Sequence, residues 1–463
     1  MPEASEYHVP RTLLQKYAKP GPRYTSYPTA PVWDNHFTPQ AAQEIYAHNN
    51  TPDNIQPIAL YIHIPFCTQL CWYCGCNVKI ARNKSVATPY LKALDTELTL
   101  LSRQINPRRK ISQMHWGGGT PTYLSPEQIV ALVNQVRHHL DFTPTAERSI
   151  EVDPRVTTAE HLQALRDCGF NRISMGVQDF NPKVQSAVNR EQSFELTAEL
   201  IATSRRLGFV SINIDLMYGL PFQTVDSFSE TLQQIQSLNP DRLALFHYAH
   251  VPWLKPAQKL IKPEMLPGSD TKLDIFELAI DHLLGQGYRY IGMDHFARPE
   301  DELSQAQDQR SLRRNFMGYT TQAGVDLYGL GVSSISEIDG HFIQNEREVP
   351  AYQKRLEHHE LPLLRGMKLS KDDQIRKKII EQLICNGYLD YASLESTYAI
   401  DFQTTFRQEL VAAETLAADA LLEMSPVGMR VLPRGQILIR NICMLWDAYL
   451  TQQQGKQMFS QTA

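Results

Sequence analysis

Four cysteines occur close together, at Cys67, Cys71, Cys74 and Cys76. The first three follow a C-x-x-x-C-x-x-C pattern, without the second Cys/His pair that would complete a structural zinc site. An iron-sulfur cluster can take three thiolates from one loop, because its irons already carry sulfide and one iron can accept another ligand. The spacing therefore favours a cluster with one open iron.

Cys76 lies only two residues beyond Cys74, which leaves two interpretations. It is either a fourth ligand or a small thiol packed beside the cluster, and the short spacing favours the packed thiol. In a third interpretation, all four cysteines bind a metal that has only a structural role. That interpretation leaves the polar motifs described next without explanation.

Two other motifs could contribute to a site. The run Gly117–Gly119 lacks Cβ atoms, so its backbone N–H groups could approach a ligand closely, although such a run also forms tight bends. Glu151 alternates with apolar Ile150 and Val152, as in a strand. Its carboxylate either faces outward or faces inward with a partner, because an unpaired inward carboxylate would be costly.

Hydrophobic periodicity places these motifs in an α/β fold. It predicts strands near 58–64, 111–116, 148–152, 172–176, 211–216 and 242–247, with helices from Ser125 to about Leu140 and near 158–168, 193–207 and 225–237. Six successive βα units indicate a parallel sheet. The cysteine loop, the glycine run, Glu151, Gln178 and Asp215 all lie at or beyond strand carboxyl ends, which favours a partial (β/α)6 barrel.

Flanking segments complete the predicted organisation: an arm at 1–35, the barrel with its extensions at 36–365, and a mainly α-helical domain at 366–463. The arm has no acidic residue between Glu6 and Asp34, and it is interpreted as a transit peptide, a solvated arm or a cover for an anionic substrate. The last domain is predicted as three helices, a hairpin through Met424 to Leu432 and a long final helix. This order is compatible with a winged-helix-like module.

Bulk properties exclude several classes of partner. The net charge of −5 and pI near 6.3 give no reason to expect binding to nucleic acid or to an anionic membrane. Seven cysteines, an odd number, argue against a disulfide scaffold and favour a reducing compartment, which we expect to be the cytoplasm. No apolar run approaches the roughly 20 residues of a membrane-spanning helix.

The cysteine spacing resembles that of the radical S-adenosylmethionine (SAM) superfamily. The whole chain is similar to the oxygen-independent coproporphyrinogen III oxidase family in Tyr61-Ile-His-Ile-Pro-Phe-Cys67, His115-Trp-Gly-Gly-Gly-Thr-Pro-Thr-Tyr123, Ser149-Ile-Glu-Val-Asp-Pro-Arg155, Met175-Gly-Val-Gln-Asp-Phe180, Asn213-Ile-Asp-Leu-Met-Tyr-Gly-Leu-Pro221, Gly292-Met-Asp-His-Phe-Ala-Arg298 and Arg440-Asn-Ile-Cys-Met444. The resemblance runs nearly end to end.

The resemblance implies two cofactors and a set of residues that hold them. Cys67, Cys71 and Cys74 would ligate a 4Fe-4S cluster. A first SAM would be held by Tyr61, Tyr73, Gly118 and Glu151, and a second SAM by Gly119, Thr120, Gln178, Arg190, Asp215, Ala249 and Ile335. Tyr61, Glu151, Phe316 and Met317 would lie at the reacting centre.

The implied reaction converts two propionates of coproporphyrinogen III to vinyl groups by 5′-deoxyadenosyl radical chemistry, giving protoporphyrinogen IX in haem biosynthesis. It needs an external electron donor such as flavodoxin or ferredoxin, and we expect a monomer without nucleic acid. Cations must meet the propionates, and the candidates are Arg23, Arg298, Arg313 and Arg314.

One departure keeps an alternative open. Methionine stands at position 317, in Asn315-Phe-Met-Gly-Tyr-Thr-Thr321, where the family has glutamine. The alternatives are a haem-binding chaperone of the same superfamily or a relative with an altered substrate. Cys76 and the amino-terminal arm, which those chaperones generally lack, favour the oxidase.

The cysteine pattern generates a direct test. Protein purified anaerobically should carry about four iron and four sulfide per chain, as expected of a thiolate-ligated cluster. Cys67→Ala, Cys71→Ala and Cys74→Ala should each abolish the cluster, whereas Cys76→Ala should retain it. Iron and sulfide analysis checks this, and one zinc per chain without sulfide would contradict the iron assignment.

Overall fold

The computed structural model describes residues 2–450. The strands are β1 (Ile58–Ile64), β2 (Phe66–Cys67), β3 (Lys79–Ile80), β4 (Ile111–Gly118), β5 (Phe142–Val152), β6 (Arg172–Gln178), β7 (Ser211–Tyr218), β8 (Arg242–His247), β9 (Arg289–Gly292), β10 (His295–Ala297), β11 (Arg313–Asn315), β12 (Gly318–Thr320), β13 (Asp326–Leu330), β14 (Ile335–Ile338), β15 (His341–Asn345), β16 (Leu363–Met367), β17 (Tyr388–Asp390), β18 (Leu422–Ser425) and β19 (Gly428–Val431).

The α-helices are α1 (Arg11–Tyr17), α2 (Pro39–Asn49), α3 (Ala87–Ser102), α4 (Pro126–His139), α5 (Ala159–Asp167), α6 (Pro182–Ala187), α7 (Phe194–Arg206), α8 (Val225–Leu238), α9 (Ser269–Gly285), α10 (Glu302–Asp308), α11 (Val349–Glu357), α12 (Lys371–Asn386), α13 (Tyr391–Tyr398), α14 (Phe402–Thr405), α15 (Arg407–Ala418), α16 (Pro433–Ile437) and α17 (Ile439–Met444). Short 3-10 helices cover Ala4–Tyr7, Ala30–Val32, Lys84–Val86, Pro121–Tyr123, Pro256–Leu260 and Pro263–Met265.

Six parallel strands form the centre of the molecule. They lie side by side in the order β1, β4, β5, β6, β7, β8, and α-helices connect them. This arrangement confirms the predicted partial barrel of six βα units. The sequence did not predict β13, which pairs in parallel with the free edge of β1. Antiparallel strands extend the sheet at both ends, with β14, β15 and β16 beyond β13, and β10 and β9 beyond β8.

Side chains alternate along each strand between an apolar layer that faces the helices and a polar lining that faces the barrel interior. In β6, Ile173, Met175 and Val177 are buried, whereas the residues between them are only partly covered. Successive strand side chains point to opposite faces, so the apolar set packs against the helices and the polar set faces the barrel interior. The predicted start of α4 is also confirmed, since Ser125 and Gln128 form a capping box.

The amino-terminal arm packs into the fold. The rings of Tyr24 and Tyr27 are buried in one hydrophobic cluster with residues of α12, α15 and α17. Arg440 on α17 donates from Nε to the carbonyl oxygen of Pro22 at 3.0 Å and from Nη2 to that of Gly21. The solvated-arm interpretation is therefore wrong for this segment, while the domain boundaries at 35 and 365 remain predictions.

The carboxyl-terminal region follows the predicted order, but it has four helices before the hairpin where three were predicted, and it differs at its end. Helices α12 to α15 lead to the β18–β19 hairpin, which β17 joins as a third strand. The prediction of one long final helix is wrong for residues 433–444, where α16 and α17 are separated at Leu438. Leu438 and Ile439 are both buried, and neighbouring residues of a continuous helix point about 100° apart. The break lets both face the core. Residues 445–450 contain no α-helix, and the remainder of the predicted helix lies outside the described residues.

No helix within residues 2–450 combines the length and the apolar character needed to cross a membrane.

Candidate active site

A row of polar side chains crosses the barrel interior near the carboxyl ends of its strands. Tyr61 on β1 lies opposite His115 on β4, and His115 lies opposite Ser149 on β5. The Tyr61 and His115 rings stack with centroids 6.0 Å apart, and His115 Nδ1 is 2.7 Å from Ser149 Oγ. The parallel register therefore fixes the orientation of both rings.

Glu151 faces the barrel interior from the end of β5. Its Oε1 is 3.5 Å from His115 Nε2, and its Oε2 accepts a hydrogen bond of 3.1 Å from the Gly118 N–H. Burial alone would raise its pKa, but the hydrogen bonds and charge of His115, with the Gly118 N–H, hold the pKa of Glu151 below its usual value. The outward-facing interpretation is therefore wrong.

The glycine run leaves no room for side chains. A Cβ on Gly117 would lie 3.0 Å from the Glu151 carboxyl group, and one on Gly118 would lie 2.6 Å from the His63 ring. Gly118 also has a φ of +116°, and a Cβ on Gly119 would lie 2.7 Å from the Pro65 backbone. Glycine is therefore required by the close approach of β1 and Glu151. The Gly118 N–H bonds to Glu151, and the Gly119 N–H donates to the Ile64 carbonyl oxygen at 2.8 Å.

The cysteine loop spans the segment between β2 and β3, whose parallel pairing closes it. The Trp72 N–H donates to the Val188 carbonyl oxygen at 3.0 Å, and Gln258 Nε2 donates to the Tyr73 carbonyl oxygen at 3.0 Å. Asn189 Nδ2 donates to the Leu70 carbonyl oxygen at 2.8 Å. These bonds connect the loop to the residues just after α6 and to the segment after β8.

Positively charged groups surround the Cys71 sulfur. Arg155 Nη2 and Arg190 Nη1 each lie 3.5 Å from Cys71 Sγ, and both arginines pair with Asp153. Cys67 Sγ lies 3.4 Å from the Thr120 hydroxyl. Such N–H and O–H donors stabilise thiolate sulfur and tune the reduction potential of a cluster.

Three thiols on one loop with charged donors fit a thiolate-ligated cluster. Among residues 2–450, no three His, Cys, Asp or Glu side chains come close enough to hold a single metal ion. Cys76 is exposed, and its thiol hydrogen-bonds to Cys74, which lowers the pKa of Cys74 to about 6. The choice between a fourth ligand and a thiol beside the cluster stays a prediction.

A second polar group lies beside the cysteine loop, on β6, on the segment after α6 and on β7. Gln178 has a φ of +71°, and its buried Oε1 has no hydrogen-bond partner among residues 2–450. Arg190 donates from Nη2 to the Gly176 carbonyl oxygen, and Asn213 donates to Asp215 Oδ1 at 2.7 Å. An unpartnered buried amide oxygen is costly unless a ligand donates to it. This is where the structure could accept a further polar ligand.

Asp215 is electrostatically coupled to Glu151 across the interior. Burial and the Glu151 charge raise the pKa of Asp215 to about 7, against the lowering effect of the Asn213 hydrogen bond. Two carboxylates facing one space favour a positively charged ligand between them.

The remaining predicted residues lie in two places. Ala249 is half-buried, two residues beyond β8. Phe316 and Met317 form the turn between β11 and β12, where the Met317 N–H donates to Asn315 Oδ1 at 2.8 Å. Phe316 packs in a hydrophobic cluster with Trp33 and Ile335, its ring 5.8 Å from that of Trp33. The arm therefore supports this turn.

The four candidate arginines do not converge. Arg298 donates to Asn239 Oδ1 and to the Gln286 carbonyl oxygen, and these two residues precede β8 and β9. Arg298 therefore lies at the amino-terminal end of the strands, opposite the end that carries the site. Arg313 lies 3.7 Å from Glu381 and lines a cavity of ≈ 410 Å³.

Arg314 and Arg23 lie nearer the barrel mouth. Arg314 donates from Nη1 to the Arg23 carbonyl oxygen at 3.1 Å, and Arg23 pairs with Asp294. The sequence-based search missed Arg155, Lys272 and Arg440. Arg155 ends the motif that begins at Ser149, four residues after Glu151, and Arg440 begins the motif that ends at Met444. Lys272 gave no sequence signal.

The comparisons with known proteins identify the family. The family model of the radical SAM superfamily matches residues 61–235, and that of the HemN C-terminal domain matches residues 369–438. The chain is 47% identical over 448 residues to the oxygen-independent coproporphyrinogen III oxidase of Escherichia coli (strain K12), covering 97% of both chains. The chain belongs to the oxygen-independent coproporphyrinogen III oxidase family.

Other members of this family give the same result. The Synechocystis sp. oxidase is 44% identical and covers 97% of both chains. A solved structure of the coproporphyrinogen III oxidase from Escherichia coli, described as a radical SAM enzyme, matches with a TM-score of 0.92 and 45% identity, covering 96% of this chain and all of the other. The predicted family and fold are thereby confirmed, together with the 4Fe-4S cluster and SAM that a radical SAM family implies. The relatives are oxidases, which favours the oxidase over the haem-binding alternative.

The raised pKa of Asp215 generates a pH prediction. A cation such as SAM favours the ionised form, so SAM affinity should rise by about tenfold from pH 6 to pH 8 as the Asp215 proton, with a pKa of about 7, is lost. Equilibrium dialysis with the anaerobically reconstituted protein checks this. Asp215→Asn should flatten the profile, and S-adenosylhomocysteine, which lacks the sulfonium charge, should show a weaker dependence. Equal slopes in Asp215→Asn and the unaltered protein would contradict the assignment.

Proposed function

We propose that this chain catalyses the oxygen-independent oxidative decarboxylation of two propionates of coproporphyrinogen III to vinyl groups, giving protoporphyrinogen IX. The observation that carries the proposal is the convergence of the three-cysteine loop, the glycine run and Glu151 at one barrel rim, in a chain 47% identical to a named oxidase. Fold alone would not identify a substrate.

Each residue of the rim has a physical role in this proposal. Cys67, Cys71 and Cys74 would hold the cluster, while Tyr61, Tyr73, Gly118 and Glu151 would hold the first SAM. When bound, the cluster and SAM supply one-electron radical chemistry. The stacked Tyr61 and His115 rings orient Glu151, and a fixed carboxylate binds a cation without reorganisation.

A second SAM in the same site is the finer part of the proposal. Its residues would be Gly119, Thr120, Gln178, Arg190, Asp215, Ala249 and Ile335. The unpartnered Gln178 Oε1 and the raised pKa of Asp215 support it, because both groups gain a favourable partner when a polar cation binds. Phe316 and Met317 would line the reacting centre from the β11–β12 turn.

The reaction requires partners outside this chain. Each propionate loses a hydrogen atom, carbon dioxide and one further electron on becoming vinyl, so an electron acceptor is needed. Starting the radical chemistry needs a low-potential donor, for which flavodoxin or ferredoxin is proposed. A monomer in the cytoplasm remains part of the proposal.

The activity is tested by an anaerobic assay of reconstituted protein with SAM, a reductant and coproporphyrinogen III. We expect 5′-deoxyadenosine and a vinyl porphyrinogen to appear together, with both absent in Cys71→Ala. Chromatography with mass spectrometry detects them. Cleavage of SAM without any vinyl product would contradict the proposed substrate.

Met317 provides a test of the second SAM position. A glutamine amide donates and accepts hydrogen bonds, whereas a thioether is a weak acceptor. Met317→Gln should tighten SAM binding or speed vinyl formation by about fivefold, the value of one hydrogen bond on the order of 1 kcal/mol. SAM titration and initial rates check this, with Met317→Leu as the apolar control. Unchanged binding and rates would show that position 317 only packs.

A further inference from the structure

Basic side chains from three distant segments meet at the ends of β7 and β8. We define this rim cluster as Arg23 of the arm, Lys272 on α9 and Arg440 on α17. The Arg23 guanidinium carbon lies 6.0 Å from the centre of the Phe246 ring on β8. Lys272 Cε lies 3.5 Å from the position that a Cβ on Gly219 would occupy, just beyond β7. Arg440 holds the arm beside Arg23 through its bonds to Gly21 and Pro22.

The rim cluster has more positive than negative charge. Asp294 pairs with Arg23. The Lys272 side chain is half-buried, and its ammonium group has no hydrogen bond or ion pair to any of residues 2–450. The nearest acidic residues along α9, Asp270 and Asp274, both pair with Arg11. A half-buried ammonium without a counter-charge is costly, so the cluster favours binding of an anion.

The charges act on one another and on His247 at the end of β8. Burial, then the charges of Arg440 and Arg314, lower the pKa of Arg23 to about 10. Burial, then Lys272, Arg23 and Arg440, lower the pKa of His247 to about 4. His247 is therefore neutral at physiological pH, and the three cations of the cluster share one electrostatic field.

The cluster adjoins both aromatic surface and the proposed SAM residues. The Tyr218 ring stacks on Phe276 with centroids 5.4 Å apart and lies 5.0 Å from the His247 ring. Tyr218 follows Asp215 by three residues on β7, and Ala249 follows His247 by two. Aromatic faces beside cations suit a ligand with a flat apolar body and carboxylate arms.

We propose that the rim cluster binds the carboxylate of a propionate that the enzyme does not decarboxylate, and so anchors the tetrapyrrole while another propionate reacts. This inference rests on the proposed function for the identity of the substrate. Lys272 supplies the cation without a protein partner, and Arg440 and Arg23 supply neighbouring charge.

Transition-state energetics decides which propionate is held. A reacting carboxylate loses its charge as it leaves as neutral carbon dioxide. Ion pairs to that group would stabilise the substrate more than the transition state and would slow the reaction. A retained propionate keeps its charge throughout, so its ion pairs position the substrate without opposing the chemistry.

The test measures the fluorescence of two stable porphyrins on titration with reconstituted protein. Coproporphyrin III carries both the reacting and the retained propionates, whereas mesoporphyrin IX carries only the two retained ones. Lys272→Gln should weaken the binding of both porphyrins on the order of tenfold, as expected for a lost charge-assisted bond. Lys272→Arg should restore most of the affinity. Lys92→Gln, an exposed lysine on α3, is the matched control and should change neither affinity.

The outcomes separate this inference from the proposed function. Weaker binding of coproporphyrin III alone would assign the cluster to a reacting propionate and overturn the inference, and unchanged binding of both would overturn it as well. Iron content and circular dichroism confirm that each variant is folded. Unaltered protein that makes no vinyl product, while Lys272→Gln still weakens both porphyrins, refutes the proposed function and leaves the anion site standing.

Discussion

Parallel pairing of β1, β4 and β5 is the constraint on which the site depends. The register sets Tyr61, His115 and Ser149 in one row, so a single stacking contact and two polar contacts orient Glu151. Because side chains alternate between faces, a shift of one residue would turn this row toward the helices. The same register brings Gly117 and Gly118 against Glu151 and His63, where no side chain would fit.

The charges around this row divide the barrel mouth into two regions. Glu151 and Asp215 make one region negative, as suits a sulfonium, and the raised pKa of Asp215 reflects their mutual repulsion together with burial. Arg23, Lys272 and Arg440 make the neighbouring region positive, as suits a carboxylate. The negative region lies on β5 and β7, and the positive region lies beside the ends of β7 and β8. A cation and a polyanion can therefore occupy one mouth without competing for the same groups.

The outer segments complete the mouth. Arg440, near the end of the described chain, bonds to carbonyl groups of the arm, and Tyr24 and Tyr27 are buried with the carboxyl-terminal helices. Trp33 packs against Phe316, so the arm also supports the turn that carries Met317. These contacts give the short segment rich in proline and tyrosine a structural role at the barrel mouth.

The amino-acid sequence by itself determined the elements and the chemistry. Alternating apolar residues predicted six strands, the capping box predicted the start of α4, and C-x-x-x-C-x-x-C indicated a cluster, because these signals depend on local spacing. Tertiary structure alone decided that β13 joins β1, that Cys76 is exposed, that Arg298 lies at the far end and that Lys272 and Arg440 meet Arg23. Such outcomes depend on tertiary contacts between separate elements, which local spacing does not encode. The break at Leu438 has the same origin, since burial of two adjacent apolar residues outweighed the helical pattern.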